Sequence, residues 1–476
     1  MSLADKKTTY DFLAPYAKKL GYTDDDLMEF KAVLETIEEI MQKAKPMEWD
    51  REGVKLVNGK VVLPGNMESI LKELIQDNEL YRFFAPEKFG GYGWSTVFLS
   101  GVGSVVSKTD LSLHILEFIS LSVLEGILMY YREEYDPIIE KILSGKTVGY
   151  VGFTEPQAGS NLENVKMTSE KDGDEYVLNG VKIFISNGGY AEVGLVLAQN
   201  VVNGKPEGHN VFIVDGLDGI TVLRLEEKMG LHANPTAQLQ FKDVRVPEEN
   251  LIYKPGEGYT KVLERLMGMR VGVAWQAISA TERAYELAKE YAENRTQFKR
   301  PIIQFDGVSR KIREMEKALP YMKELGARAA YHLDRYLKGY VPIDTGATGH
   351  QSELQAAKML PGIVRMGMSH FFVSQAKLMT AELAWHIIDD AVQIHGGNGF
   401  IAEYEVDKIL RDIRVTRIYE GTSEVHEFII SKTKDSFEKM NIPLPKIEHE
   451  VSLYEKYVRE RFPLIKNIWY NSDEKL

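Results

Sequence analysis

The chain has 476 residues, room for two to four domains, and 44% of them are hydrophobic, enough for a large core. Its 58 basic and 70 acidic side chains give a net charge of −12, which argues against sequence-independent nucleic-acid binding, a role that needs a basic face. There are no cysteines, so disulfides, cysteine-ligated zinc and thiol nucleophiles are excluded, and redox chemistry would need a cofactor. No signal-type apolar run opens the chain and no segment reads as long enough to cross a bilayer, so the expectation is a cytoplasmic protein without a membrane span.

Residues 1–147 read mainly as helices and make an N-terminal helical domain. Apolar positions recur at helical spacing over 24–47 (Leu27, Phe30, Val33, Leu34, Ile37, Ile40, Met41). A short hairpin around Asn58-Gly59 interrupts this, and 67–80 is helical again. Glycines at 90, 91 and 93 mark a tight loop, after which Ser95 is placed to cap a helix over 96–107. The helix over 111–131 carries few polar residues beyond His114, Glu117 and Glu125, so its burial is expected.

At residue 148 the period changes to two. Strand candidates lie at 165–170, 175–178, 181–186, 194–198, 210–214, 220–225 and 237–246. Turn dipeptides stand at Asp172-Gly173 and Asn179-Gly180, and a longer turn at Gly216-Leu217-Asp218-Gly219. Short strands joined by hairpins predict an antiparallel β-sandwich or barrel over 148–250. Helical patterns return at 262–294, 309–338 and 369–393, with a loop at 339–349 and a helical stretch at 353–365 that extends into the third. With a further helix after residue 422 they predict a C-terminal four-helix bundle over 251–435. Residues 436–476 form an extension with an amphipathic stretch at 447–470. The fold class is therefore α+β and multidomain.

Near the end of the bundle, the run Arg411-Asp412-Ile413-Arg414-Val415-Thr416-Arg417 has a basic face that could meet an anionic cofactor or partner. The pattern breaks at Tyr419-Glu420-Gly421, and Thr422 and Ser423 then open a helix. Glu420 thus sits on a bend before a helix N-terminus, with a glycine behind it that lets another group approach. A carboxylate on a rigid bend can take a proton from a bound substrate. Most acidic residues near a helix start do no more than complement the helix dipole.

Gly101-Val102-Gly103 lies in a helical pattern and reads as close helix packing, not as a dinucleotide fingerprint. No Walker loop, His-Glu-x-x-His or nucleophile elbow is present, and no metal site is expected. Four other segments stand out. They are 151–161 with Phe153, Thr154 and Ser160, and 182–189 with Phe184, Ile185 and Ser186. Arg295-Thr296-Gln297-Phe298 ends the longest helix, and Gln393-Ile394-His395-Gly396-Gly397-Asn398-Gly399-Phe400 could offer backbone amides to an anion. Each alone is more often a turn than a site, and His395 more often a packed loop histidine than a catalyst.

In this order, these segments resemble the acyl-CoA dehydrogenase family over nearly the whole chain. Its most specific signatures here are Thr154-Glu155-Pro156-x-Ala158-Gly159-Ser160 and Gln393-Ile394-x-Gly396-Gly397-x-Gly399, followed by Arg411-Asp412 and Tyr419-Glu420-Gly421-Thr422. The resemblance implies bound FAD, α,β-dehydrogenation of an acyl-CoA to a trans-2-enoyl-CoA, Glu420 as the base, and electron-transfer flavoprotein as acceptor. It implies that Phe153, Thr154, Ser160, Phe184, Ile185 and Ser186 lie along the flavin. Thr422 and Glu424 would reach the same FAD. Arg295, Phe298, Gln393, Gly396 and Gly397 would hold the FAD of a neighbouring subunit in a homotetramer or homodimer. Ser160, Arg270 and Gly421 match positions that touch the CoA thioester and its chain, although Arg270 could instead pair with an acidic neighbour.

One subclass carries its base on the long helix, where this chain has Met269. In this family the 111–131 helix lines the acyl pocket. It has no arginine before Arg132, which disfavours a dicarboxylyl group, and His114, Glu117 and Phe118 could shape the pocket. An acyl-CoA oxidase, an enoyl-CoA reductase and a non-catalytic flavoprotein subunit are the alternatives on the same fold.

Overall fold

The computed structural model describes residues 7–337, 362–440, 457, 461 and 462. The expected loop at 339–349 lies outside them, as do most of the 353–365 stretch and most of the C-terminal extension.

The N-terminal part is helical. Helices α1 (Thr9–Lys19) and α2 (Asp24–Met41) each open with a capping box, Thr8 with Asp11 and Thr23 with Asp26. After α3 (Pro46–Glu52), strands β1 (Lys55–Val57) and β2 (Lys60–Val62) form the hairpin on Asn58-Gly59, both at positive φ. Helices α4 (Met67–Lys72), α5 (Thr96–Thr109), α6 (Leu111–Met129) and α7 (Asp136–Leu143) follow. On α5, a Cβ at Gly101 would meet Phe30 at 2.3 Å and one at Gly103 would meet His114 at 2.6 Å, so these glycines do serve close packing. Ser95 makes no side-chain cap. The carboxylate of Asp334 does so instead, accepting from the N–H groups of Thr96 at 2.8 Å and Val97 at 3.0 Å. Contrary to the sequence expectation, α6 is long and apolar enough to cross a membrane, but 94% of its most apolar window is buried inside the protein.

Seven strands form one curled sheet: β3 (Gly149–Gly152), β4 (Thr168–Asp172), β5 (Glu175–Ser186), β6 (Val193–Val202), β7 (Lys205–Asp215), β8 (Ile220–Leu225) and β9 (Thr236–Pro247). The order is β3-β6-β4-β5-β9-β8, with β7 on the other edge of β6. Most pairings are antiparallel. The exceptions are β3 and β4, which both run parallel to β6 at successive stretches of one edge. Asn179-Gly180 is not a turn. β5 runs straight through it with a bulge, and Gly180 is needed because a Cβ there would stand 2.7 Å from Met167. The turn that the strand reading missed is Asn203-Gly204, joining Val202 to Lys205 with both residues at positive φ.

The C-terminal part contains the long helices α8 (Gly258–Asn294), α9 (Asp306–Leu337) and α10 (Gly362–His395), then α11 (Glu405–Ile413) and α12 (Ser423–Lys439). A buried ionic knot ties the three parts together. Lys408 of α11 bonds Asp110, the N-cap of α6, at 2.8 Å and Asp412 at 2.6 Å. Asp412 also accepts the N–H of Leu231, from the loop between β8 and β9. Burial works against the Lys408 charge, but the two carboxylates outweigh it and hold the ammonium well above its usual range. Arg411 pairs with Asp50 and Asp407, and Arg417 with Glu382. The arginines at both ends of the basic 411–417 run are therefore engaged inside the chain rather than offered to an anionic partner.

Candidate active site

The bend before α12 is backbone of an unusual kind. Glu420 has φ +55° and Gly421 has φ +101°. Left-handed conformation at a glutamate is uncommon and persists only where the surroundings impose it. Thr422 accepts from the N–H of Val425 and caps α12, as its sequence position suggested. Glu420 is half-buried, and its Oε2 atom is fully enclosed.

Three basic side chains from two other elements and from α12 hold this bend. Arg270 of α8 donates from Nε to the main-chain oxygen of Glu420 at 3.0 Å. His426 of α12 places Nε2 3.2 Å from the same oxygen, which requires the proton on that nitrogen. Lys377 of α10 donates from Nζ to the main-chain oxygen of Gly421. Burial works against charge on all three. His426 is driven well below its ordinary value and is neutral. Lys377 is lowered to about 7 by its burial, with nearby Glu420 opposing the shift. Arg270 is thus beside Glu420, but its guanidinium Nε contacts the main chain, not the carboxylate.

Tyr419, the residue before Glu420, is tethered as well. The hydroxyl of Tyr419 donates to Gln276 Oε1, and Gln276 Nε2 lies 2.9 Å from His114 Nδ1. Burial lowers the His114 pKa to about 3, so the ring is neutral and can accept that bond. His114 stacks on Phe118, and Phe118 fills the groove that Gly272 leaves open on α8. His114 and Phe118 therefore connect α6 to the bend. Glu117, one step round the same helix, has both carboxyl oxygens buried with no hydrogen-bond partner, and burial raises its pKa to about 8.

The other sequence-predicted residues fall into two groups. Phe153, Thr154 and Ser160 follow β3, while Phe184, Ile185 and Ser186 end β5. Phe153 and Ile185 are core, but Phe184 at φ +58° is 61% exposed, an aromatic ring bare on the sheet. Thr154 is half-buried and Ser160 exposed, and a Cβ at Gly159 would meet nothing. An exposed aromatic beside hydroxyls and open backbone suits a flat heteroaromatic ring with a polar chain. Thr422 and Glu424 stand at the start of α12.

The second group lies at the opposite end of the long helices. Arg295 is 25 residues beyond Arg270 on α8, about 37 Å along the axis at the helical rise. The loop at 396–400 packs beside it, with His395 stacked on Tyr291 and Asn398 bonded to the Tyr291 hydroxyl. His395 is thus the packed loop histidine that its sequence context allowed. Phe298 is 87% exposed, and a Cβ at Gly396 or Gly397 would meet nothing. Within one chain this group is not brought to Glu420.

Sequence reasoning missed Lys377, His426 and Gln276. The only signal for Lys377 was a lone lysine among uncharged side chains, with Phe371 to Ala376 before it and Leu378 to Ala381 after it.

Residues 151–244 match the family model described as the acyl-CoA dehydrogenase middle domain, and residues 256–434 that of the acyl-CoA dehydrogenase C-terminal domain. The chain is 33% identical to an acyl-CoA dehydrogenase of Bacillus subtilis, over 73% of this chain and 84% of that protein. It is also 33% identical to an acryloyl-CoA reductase (NADH) of Anaerotignum propionicum, over 73% and 82%. The solved butyryl-CoA dehydrogenase of Megasphaera elsdenii superposes with a TM-score of 0.69 at 27% identity, covering 85% of this chain and 97% of that one.

Proposed function

Because the chain belongs to the acyl-CoA dehydrogenase family, a family of oxidoreductases acting on CH–CH bonds, we propose that it binds FAD and dehydrogenates an acyl-CoA thioester to the trans-2-enoyl-CoA. The observation that carries this reading is the clamped left-handed bend that holds Glu420. Glu420 takes the α-proton. Met269, buried on α8 beside Arg270, offers no carboxylate to compete with it. The backbone N–H of Glu420 donates to the thioester oxygen as negative charge develops there, a fixed dipole that needs no reorganisation. Ser160, Arg270 and Gly421 lie along the thioester and its chain.

When bound, FAD would supply the acceptor for the β-hydride. Phe153, Thr154, Ser160, Phe184, Ile185, Ser186, Thr422 and Glu424 would hold it from one chain. Arg295, Phe298, Gln393, Gly396 and Gly397 would hold it from a second copy. That division is supported by the separation of about 37 Å along α8. Assembly into a homodimer or homotetramer follows, with electron-transfer flavoprotein as the acceptor that the family resemblance implies.

Anaerobic bleaching of the flavin by straight, branched, cyclic and aromatic CoA esters tests the proposal. At least one class should bleach it; no response to any of them would sink the reading. The 33% identity to an acryloyl-CoA reductase favours one second reading, reduction of an enoyl-CoA by the same residues run backwards. Measuring the rate in both directions on the responding ester separates the two.

A further inference from the structure

Four lysines are buried among the described residues: Lys182, Lys323, Lys377 and Lys408. Three pair with carboxylates, Lys182 with Glu155 at 2.8 Å, Lys323 with Glu282 at 2.8 Å, and Lys408 with Asp110 and Asp412. Lys377 is the exception. It is fully buried, no carboxylate lies within ion-pair distance of it among the described residues, and its one hydrogen bond goes to the carbonyl of Gly421. Burying an ammonium without a counter-ion is costly, and a methionine would fill similar space without that cost. What lysine adds at this position is its donor.

That donor acts on a particular pair of peptides. In a trans peptide the N–H points opposite to the C=O. Arg270 and His426 fix the carbonyl of Glu420, so the N–H of Gly421 is turned away from them. Lys377 fixes the next carbonyl, so the N–H of Thr422 is turned away from Lys377. The positive φ of Glu420, +55°, is uncommon for a residue with a side chain. Removing one of the three donors releases one peptide plane next to the strained residue.

We propose that Lys377 is a positioning residue for Glu420: from α10 it holds the Gly421 carbonyl, locks the left-handed bend, and so aims the Glu420 carboxyl at the substrate. This rests on the reading of Glu420 as the base. The groups facing Lys377 are Arg270 from α8, Glu420 on the bend, Glu382 on its own helix, and Glu424 and His426 from α12. None of the three carboxylates lies within ion-pair distance of Lys377, so the ammonium is held by its contact with the Gly421 carbonyl.

The test uses the flavin-loaded full chain and whichever CoA ester bleaches the wild type. If no ester bleaches the wild type, the reading of Glu420 as the base fails, and the role proposed for Lys377 falls with it. If one does, Lys377→Met and Lys377→Arg are compared with wild type for flavin content, thermal midpoint, binding of a non-oxidisable thioether analogue, and single-turnover bleaching rate. Lys377→Met should keep its flavin, unfold no earlier than wild type, and bind the analogue within about threefold. Its bleaching rate should fall between about 10- and 100-fold, as expected for a misplaced catalytic group. Lys377→Arg should recover part of that rate. A Lys377→Met enzyme that bleaches as fast as wild type overturns the proposal. So does a rate loss that merely tracks lost flavin or weakened analogue binding and that arginine does not restore.

Discussion

Two buried polar clusters of this molecule solve the same problem differently. In the knot around Lys408, the ammonium faces two carboxylates, and Asp412 also takes a main-chain N–H. Around Glu420, the buried basic side chains Arg270, His426 and Lys377 donate to carbonyls, and Lys377 lacks a close counter-ion. The first arrangement is electrostatically closed and joins three parts of the fold. The second leaves basic groups next to a carboxylate whose protonation must change during the proposed reaction. Charge that is fully neutralised by a fixed partner serves architecture; charge left under-compensated in a buried place is available for chemistry.

The largest effect that would break this comparison is at Glu420, the proposed base. Glu420→Gln should retain the flavin and bind a CoA ester, yet lose bleaching rate by at least about 10³-fold. A single-turnover rate near wild type would move Glu420 out of the reaction. Next comes the knot. Lys408→Met strands Asp110 and Asp412 without their cation and should lower stability by about 3–5 kcal/mol in denaturant titrations. The bleaching rate per bound flavin should nevertheless stay close to wild type.

Glu117 sharpens the contrast, because it is an acid buried without a partner. Its folded pKa of about 8 lies above the ordinary 4.5. Between those values the folded chain holds a proton that the unfolded chain has released, so stability falls as pH rises through that window and levels off above it. Glu117→Gln removes this slope. Wild type and variant should melt together near the lower end, and the variant should melt later near the upper end. Equal melting at both ends would mean that the carboxyl has a partner or reaches water. A smaller effect is expected from Gly421→Ala. Its Cβ would stand 3.0 Å from His426 Nε2 at φ +101°, a strain of about 1–3 kcal/mol that should slow bleaching more than it lowers the melting point.

Much of the fold was readable from local pattern. Period and turn chemistry located the hairpin at Asn58-Gly59, the strand at Ile220–Leu225 and the long helices to within a few residues at most of their described ends. Reading failed where a residue serves a distant partner. Asn179-Gly180 has turn composition, but the glycine is there to admit Met167. Ser95 has the composition of a cap, but Asp334, over two hundred residues later, does the capping. The motif order singled out Glu420, and the structure set Arg270 and Gly421 beside it. Lys377 and His426 were missed because nothing local says which backbone oxygen a helical side chain will meet.

The sequence by itself determined the element types, the absence of thiol chemistry and the identity of the one carboxylate on the bend, since periodicity, composition and a glycine-flanked turn are local properties. Only the tertiary structure decided that β3 and β4 share one edge of β6, that Arg411 and Arg417 of the basic 411–417 run face acids within the chain, and that a lysine from α10 reaches the Gly421 carbonyl. Those depend on which surfaces exclude water from one another, and burial is a property of the packed chain as a whole.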